Sequence, residues 1–268
     1  MHTRRLGQTD LYVSPLGLGT VKFGRNQGVK YPQAFELPDD QSIRELLALS
    51  HDLGINLLDT APAYGLSEAR LGKLLTNRND WVIETKVGEI FREGQSQFDF
   101  SAQGTRLSIE RSLKRLKTDY LDMALIHSDG QDCRILQEEA VLDTLLELKR
   151  KGWLRAVGIS SKTTKGGLMA FAKDCDVVMA SYHPHYTEEK AVLDYAEQHQ
   201  TGILIKKAFA SGHLQQFAAQ AQLTQQHPIA YALDFIFQHQ GVGSIILGTI
   251  NPQHLQQNVA FANEILSS

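Results

Sequence analysis

The amino-acid sequence predicts an α/β protein of one kind: a closed (β/α)8 TIM barrel with an N-terminal hairpin and an extra helix after strand 7. Three observations carry that prediction. The chain has 268 residues, close to the roughly 250 that one such barrel needs, so a single domain over 1–268 is expected. Strand-like and helix-like segments alternate from Leu16 onward with little interruption, the pattern of a parallel sheet whose strands are joined by crossover helices. Eight strand-like segments can be counted along that stretch, which favours closure over an open doubly wound sheet.

Residues 3–13 read as two short extended pieces around the turn-rich Gly7-Gln8-Thr9-Asp10, a hairpin able to plug one end of a barrel. Leu16-Gly17-Leu18-Gly19-Thr20 is the first barrel strand, followed by a long loop over 21–38. Its glycines lack the third glycine and the immediate helix of a dinucleotide fingerprint, so they mark close backbone approach instead. Asp39 or Asp40 caps a helix in which Ile43, Leu46, Leu47 and Leu53 share a stripe, and Gly54 ends it. Strand 55–59, helix 67–75, strand 81–86, helix 102–116 and strand 120–127 come next. Val141, Leu145 and Leu148 mark a helix stopped at Gly152, before strand 154–159. Helix 164–173, strand 176–181, helix 187–199, strand 202–206, helix 229–239, strand 244–247 and helix 253–265 complete the series. The surplus helix is expected over 211–222, with Gln215, Gln216, Gln220 and Gln222 on a solvated face.

Bulk composition narrows the function classes. A formal net charge of −3 without a long basic run argues against nucleic acid or an anionic membrane as partner. Cys133 and Cys175 stand far apart in no metal-ligand spacing, and are expected to be reduced thiols. The N-terminus has no signal-peptide character, and no apolar run reaches about 18 residues. A cytoplasmic location with no membrane contact is the expectation.

Chemistry-bearing residues gather at the C-terminal ends of the predicted strands, which open onto one face of a parallel barrel. Asp59 ends strand two, Lys86 strand three and His127 strand four. Ser160 and Ser161 follow strand five, His183 and His185 strand six, and Lys206 and Lys207 belong to strand seven, while Tyr64 lies five residues past Asp59. Singly, each has a plain structural explanation: a turn cap, a solvated amine, a packing phenol. Together they suit proton transfer. A tyrosine titrates near pH ~10 unless a cation stabilises its phenolate; Lys86 can be that cation, Asp59 can hold it, and His127 can orient a carbonyl oxygen. Tyr64 would then protonate that oxygen as hydride reaches carbon, and since no side chain donates hydride a nicotinamide cofactor is required.

Leu58-Asp59-Thr60-Ala61-Pro62-Ala63-Tyr64-Gly65 with Ser67-Glu68, Thr85-Lys86, Leu125-Ile126-His127 and Gly152-Trp153-Leu154-Arg155-Ala156-Val157-Gly158-Ile159-Ser160 resemble the signature segments of the aldo-keto reductase family. The resemblance runs from Arg5-Leu6-Gly7 to Leu255-Gln256-Gln257-Asn258. It implies a (β/α)8 barrel, NAD(P)H extended across the rim, and reversible carbonyl reduction with Tyr64 as general acid, assisted by Asp59, Lys86 and His127. It also implies cofactor contacts from Gly19, Thr20 and Val21, from Ser160, Ser161 and Met179, from Lys206, Lys207, Ser211 and Gly212, and from Gly248, Thr249, Asn251, His254, Gln257 and Asn258. The expected partner is a small carbonyl or alcohol substrate.

The chain departs from the family's pattern at the cofactor's two ends. Ser160-Ser161 stands where the family has Ser-Asn, Met179 where it has a Gln, and Lys206 where many members have an aromatic or Arg. Gly248, Asn251 and His254 fill positions that hold Lys or Arg around the 2′-phosphate. NADPH is expected because the family mostly uses it, with NADH as the alternative. The sequence stops at Ser268 without the C-terminal loop of longer members. An open pocket is therefore expected, closed by loops 21–38, 88–101 and 128–137 with Phe23, Tyr31, Phe35, Phe91, Phe98 and Phe100.

Glu84 lies on the same face of its strand as Lys86, toward the barrel interior. An ion pair with a neighbouring barrel Arg or Lys is expected for it, and added negative potential that weakens the acidity of Tyr64. Two further functions stand beside reduction: metal-dependent hydrolysis using His183 and His185 with Asp59 and His127, and a non-catalytic protein that only binds the cofactor.

Overall fold

The computed structural model describes residues 1–214 and 227–267. Eight parallel strands close into a barrel in chain order: β1 (Leu16–Gly19), β2 (Leu57–Asp59), β3 (Val82–Val87), β4 (Leu121–His127), β5 (Leu154–Ser160), β6 (Val177–Ser181), β7 (Gly202–Lys206) and β8 (Val242–Leu247), with β8 pairing back onto β1. Around them pack α1 (Asp40–Asp52), α2 (Ser67–Leu74), α3 (Ala102–Leu116), α4 (Val141–Arg150), α5 (Thr164–Ala172), α6 (Lys190–His199), α7 (Pro228–Phe237) and α8 (Pro252–Ser267). Among the described residues, no helix is long and apolar enough to cross a membrane.

Helix starts follow local chemistry. Asp39 accepts from the Ser42 N–H at 2.7 Å, Ser101 from Gly104 at 3.0 Å and Thr163 from Gly166 at 3.1 Å, each satisfying an N–H left without a partner in the first turn.

Two apolar layers hold the barrel. The outer one lies between strands and helices and includes Ile83, Val87, Ile126 and Leu145. The inner one fills the barrel's lower half with Leu57, Val82, Met123, Leu125, Ala156, Val177, Met179 and Leu204, sealed by Leu6, Leu11 and Val13 of the N-terminal hairpin. That hairpin pairs Arg4–Arg5 with Tyr12–Val13. Its Gly7, at φ +55°, comes so close to the barrel that a Cβ there would meet the Gly202 nitrogen at 2.3 Å.

Alternation along each strand then decides what tops the inner layer. Leu57 points inward, so Asp59 does; Val82 leads to Glu84 and Lys86. Met123 and Leu125 lead to His127, Ala156 to Ser160, and Leu204 to Lys206. The interior therefore changes from apolar to polar toward the strands' C-terminal ends.

Two expectations change. Residues 88–101 are not a plain loop: Glu89–Arg92 and Gln95–Phe98 form an antiparallel hairpin. Residues 128–137 contain a helix, Asp132–Glu138, whose Asp132 accepts from the N–H groups of Lys162 and Thr163 at 3.0 and 2.8 Å. After β7 comes the 3-10 turn Ala210–Gly212, with Ser211 left-handed at φ 56°; from 215 to 222 the expected surplus helix lies outside the described residues.

Candidate active site at the rim of the barrel

Asp59, Tyr64, Lys86 and His127 line one cavity of about 620 Å³. Asp59, Lys86 and His127 arrive there by strand parity. Tyr64 arrives by a tight turn: Pro62–Tyr64 is a 3-10 helix, and Gly65 follows at φ 63°, where a Cβ would meet the Gly24 carbonyl at 2.2 Å. Only glycine allows that turn to nest against the loop after β1.

Lys86 is 1 % exposed. Its ammonium donates a short hydrogen bond to Asp59 Oδ1 and another to the Thr60 carbonyl at 3.1 Å. Glu84, fully buried, is the second carboxyl on this amine, at 3.3 Å. The ion-pair partner expected for Glu84 is thus Lys86 itself. Burial opposes the ammonium, but Asp59 and then Glu84 outweigh it and lift Lys86 well above the ordinary lysine range. Asp59 stays below the usual carboxylate range, burial being outweighed by Lys86. Glu84 is driven the other way, well above the usual carboxylate range, chiefly by burial and also by Asp59. Its charge acts on Tyr64 in the expected direction, raising the phenol, behind burial and Asp59.

The Tyr64 hydroxyl donates to Asp59 Oδ2 at 3.4 Å, and its ring centroid lies 5.0 Å from the Lys86 nitrogen. Burial, followed by Asp59, raises the phenol well above the ordinary range, and Lys86 offsets only part of this. Lys86 thus acts on the phenol in the expected direction but is outweighed in the resting site by burial and Asp59.

His127 stands with its ring 6.4 Å from that of Tyr64 and nearly perpendicular to it. Its Nδ1 lies 2.8 Å from Oε2 of Glu89 on the hairpin, a residue that sequence reasoning missed. The available signal was Glu93-Gly94, which turns the hairpin at φ 51° and 80°.

Of the residues implied for cofactor binding, Gly19, Val21, Ser160, Met179, Lys206, Lys207, Ser211, Gly212, Gly248, Thr249, His254, Gln257 and Asn258 line the same cavity. Thr20, Ser161 and Asn251 are not on that wall, and each side chain has a partner elsewhere. Thr20 Oγ1 donates to the Asp59 carbonyl at 2.8 Å and Ser161 Oγ to Glu189 at 2.7 Å. Asn251 Oδ1 caps α8, accepting from Gln253 at 2.9 Å and His254 at 3.3 Å. Lys206 donates to Ser160 Oγ at 2.8 Å and also to the Ser161 carbonyl. Burial, only partly countered by Glu189, brings its pKa down to about 7.

The loop after β1 adds residues that sequence reasoning did not assign to the cofactor. Tyr31, Pro32 and Gln33 line the cavity, the Tyr31 ring lies 4.1 Å from the Lys22 nitrogen, and a Cβ on Gly248 would meet its hydroxyl at 2.7 Å. Of the other loop aromatics, Phe23 and Phe100 are core residues and Phe98 is 40 % exposed.

A nicotinamide dinucleotide fits this lining. Asn258 Oδ1 is buried and has no hydrogen-bond partner among the described residues, which suits it to accept from an adenine amino group. Metal ligation is less well served: no group of three or more His, Cys, Asp or Glu placed to hold a metal occurs among the described residues. His183 instead accepts from the His185 N–H at 3.3 Å within a turn.

Comparison with known proteins agrees with this geometry. Residues 15–225 match the model of the Aldo/keto reductase family. The chain is 30% identical to L-galactose dehydrogenase of Arabidopsis thaliana over 98% of this chain and 89% of that protein. It is 26% identical to D-threo-aldose 1-dehydrogenase of a Pseudomonas species, over 94% and 90%. Among solved structures, a Pseudomonas aeruginosa protein assigned to the aldo-keto reductases is 51% identical and superposes with a TM-score of 0.87, covering 98% of this chain and 95% of that one. The chain belongs to the aldo/keto reductase family and is a nicotinamide-dependent oxidoreductase.

Proposed function

We propose that this protein reversibly reduces aldehydes or ketones to alcohols, with Tyr64 delivering the proton. The observation that carries the reading is the buried Asp59–Lys86 pair beneath the Tyr64 phenol, in the cavity that His127 shares. When bound, the nicotinamide cofactor supplies the hydride. Tyr64 protonates the oxygen as negative charge develops there. Even a raised phenol suffices, because an alkoxide is about as basic as hydroxide. Lys86, charged at every working pH, sits below the ring and stabilises the phenolate left behind; Asp59 keeps that ammonium aimed.

Ser160, Met179 and Lys206 form the wall beside the reacting atoms, where the nicotinamide would lie. Gly248, Thr249, His254, Gln257 and Asn258 would receive the adenosine. In this reading NADH is preferred over NADPH. Asn251 already uses two of the N–H groups at the start of α8, and 246–258 contains no Lys or Arg to meet a 2′-phosphate. Parallel fluorescence titrations with NADH and NADPH, followed by turnover with small aldehydes, test this. Tighter NADH binding with aldehyde-dependent oxidation of the cofactor is expected. Cofactor binding without turnover of any carbonyl compound would instead support the non-catalytic reading.

A further inference from the structure

Two lysines reach the polar end of the barrel interior from opposite sides, Lys86 on β3 and Lys206 on β7. Their surroundings differ in charge. Lys86 is met by two carboxyl groups, Asp59 and Glu84. Lys206 donates to the Ser160 hydroxyl at 2.8 Å and to the Ser161 carbonyl, and both of these acceptors are neutral. The nearest acid to act on it is Glu189, whose carboxylate is already turned to the Ser161 hydroxyl and the Ser181 N–H and reaches Lys206 only through space. Among the described residues Lys206 therefore has no counter-ion in contact. An ammonium carries three N–H donors, and two are used, so the third is left for the cavity.

Besides Glu189, the groups that act on this amine are Lys207 next in the chain, Lys86 across the barrel and Asp132 from the helix after β4. His127 feels its charge in turn. The strands on either side, β6 and β8, carry no titratable side chain. Burial is the largest influence and leaves the amine titrating at about 7, so its charge is present below that pH and lost above it. The hydride-bearing carbon has to sit against the carbonyl held at Tyr64, in the cavity that Lys206 and Ser160 also line. A nicotinamide ring placed there lies within reach of the Lys206 charge. That ring is a cation when oxidised and neutral when reduced.

Resting on the carbonyl-reduction reading above, we propose that Lys206 sets which redox state of the cofactor the site holds: as an ammonium without a counter-ion it repels the oxidised nicotinamide and spares the reduced one. Loss of its proton removes the discrimination. A like charge in the immediate neighbourhood disfavours the charged form by about one to three pH units, which is roughly 10- to 1,000-fold in an equilibrium. The phosphates and the adenosine are common to both redox states, so their effect on Lys206 cancels in the comparison. Coupling of this kind is reciprocal: the oxidised cofactor must in turn favour the deprotonated amine, and its binding in acid expels a proton from Lys206. In acid the site therefore keeps the hydride donor and sheds the spent cofactor, whereas in alkali it holds both.

Calorimetric titrations of the whole protein with NAD+ and NADH, and with NADP+ and NADPH alongside, test this at pH 6, 7 and 8 in buffers of different ionisation heat. The ratio of the Kd for the oxidised form to that for the reduced form should be lowest at pH 8. It should rise roughly tenfold by pH 6, the most that one proton allows over one pH unit below a titration at about 7. At pH 6 the oxidised form should also release about half a proton or more beyond any released with the reduced form. Lys206→Met should hold the ratio near its pH 8 value throughout, and Lys206→Arg, a cation at every pH, should hold it high throughout. A wild-type ratio constant within about twofold from pH 8 to 6 overturns the proposal without any variant having to fold. So does a rise of the same size in Lys206→Met, which moves the charge to another group such as His127. If no dinucleotide binds in either redox state, the cofactor reading fails and this inference with it, whereas binding of both states at a pH-independent ratio sinks the inference alone.

Discussion

Two buried carboxyl groups share one ammonium in this barrel, and removing one of them has a calculable consequence. Asp59 makes the short hydrogen bond to Lys86, while Glu84, whose carboxyl burial drives toward the neutral form, stands at 3.3 Å. Breaking a buried ion pair by deleting one partner ordinarily costs about 3–5 kcal/mol, because the other charge is left uncompensated. In Asp59→Asn, Glu84 can release its proton and become the counter-ion. At 3.3 Å and an effective dielectric constant of about 20, the new attraction is roughly 5 kcal/mol before the cost of ionising a buried acid is subtracted. We therefore expect Asp59→Asn alone to cost about 1–2 kcal/mol, Glu84→Gln about 0–1, and the double variant about 3–5, a coupling near 2 kcal/mol. Urea denaturation of the four proteins at pH 7 measures the cycle. Additivity within about 0.5 kcal/mol would refute the reserve role of Glu84.

Other predictions follow from single observations. Lys206 titrates at about 7 in the folded protein against an ordinary value near 10.4 in the unfolded chain. Its burial therefore costs nothing above the unfolded value, costs progressively more as pH falls toward 7, and levels off below; Lys206→Met should raise Tm by an amount that grows from pH 10 to 7 and then stays flat. Gly65→Ala, at φ 63° with a carbonyl 2.2 Å from its Cβ, should lose about 2–3 kcal/mol in thermal unfolding and displace Tyr64. His254→Arg should tighten NADPH by about tenfold relative to NADH in fluorescence titrations, since it adds the missing cation beside the adenosine.

Strand parity made most of the site legible in advance. Once Leu57, Val82 and Met123 face the barrel interior, period-two alternation brings Asp59, Lys86 and His127 to its polar end, and Glu84 is carried inward with them. The hairpin bearing Glu89 was missed because Glu89-Ile90-Phe91-Arg92 and Gln95-Ser96-Gln97-Phe98 are poor in β-branched residues and alternation. The helix Asp132–Glu138 was missed for a different reason: it is brief, and Asp132 is fixed by backbone donors of Lys162 and Thr163, some 30 residues on. Order along the chain also cannot show whether buried charges cancel. Lys86 lowers the Tyr64 phenol as expected, but burial and then Asp59 outweigh it. Similarly, Thr20, Ser161 and Asn251 hold positions near the cofactor wall, yet nearer partners than a cofactor take their polar atoms.

The central claim is that the Tyr64 hydroxyl delivers the proton in carbonyl reduction. Aldehyde-dependent oxidation of NADH by wild-type and Tyr64→Phe protein, each saturated with cofactor, tests it most directly. Equal cofactor affinity with turnover slowed by about 100- to 10,000-fold in the variant is the predicted result. Turnover of Tyr64→Phe within a few-fold of wild type would contradict it.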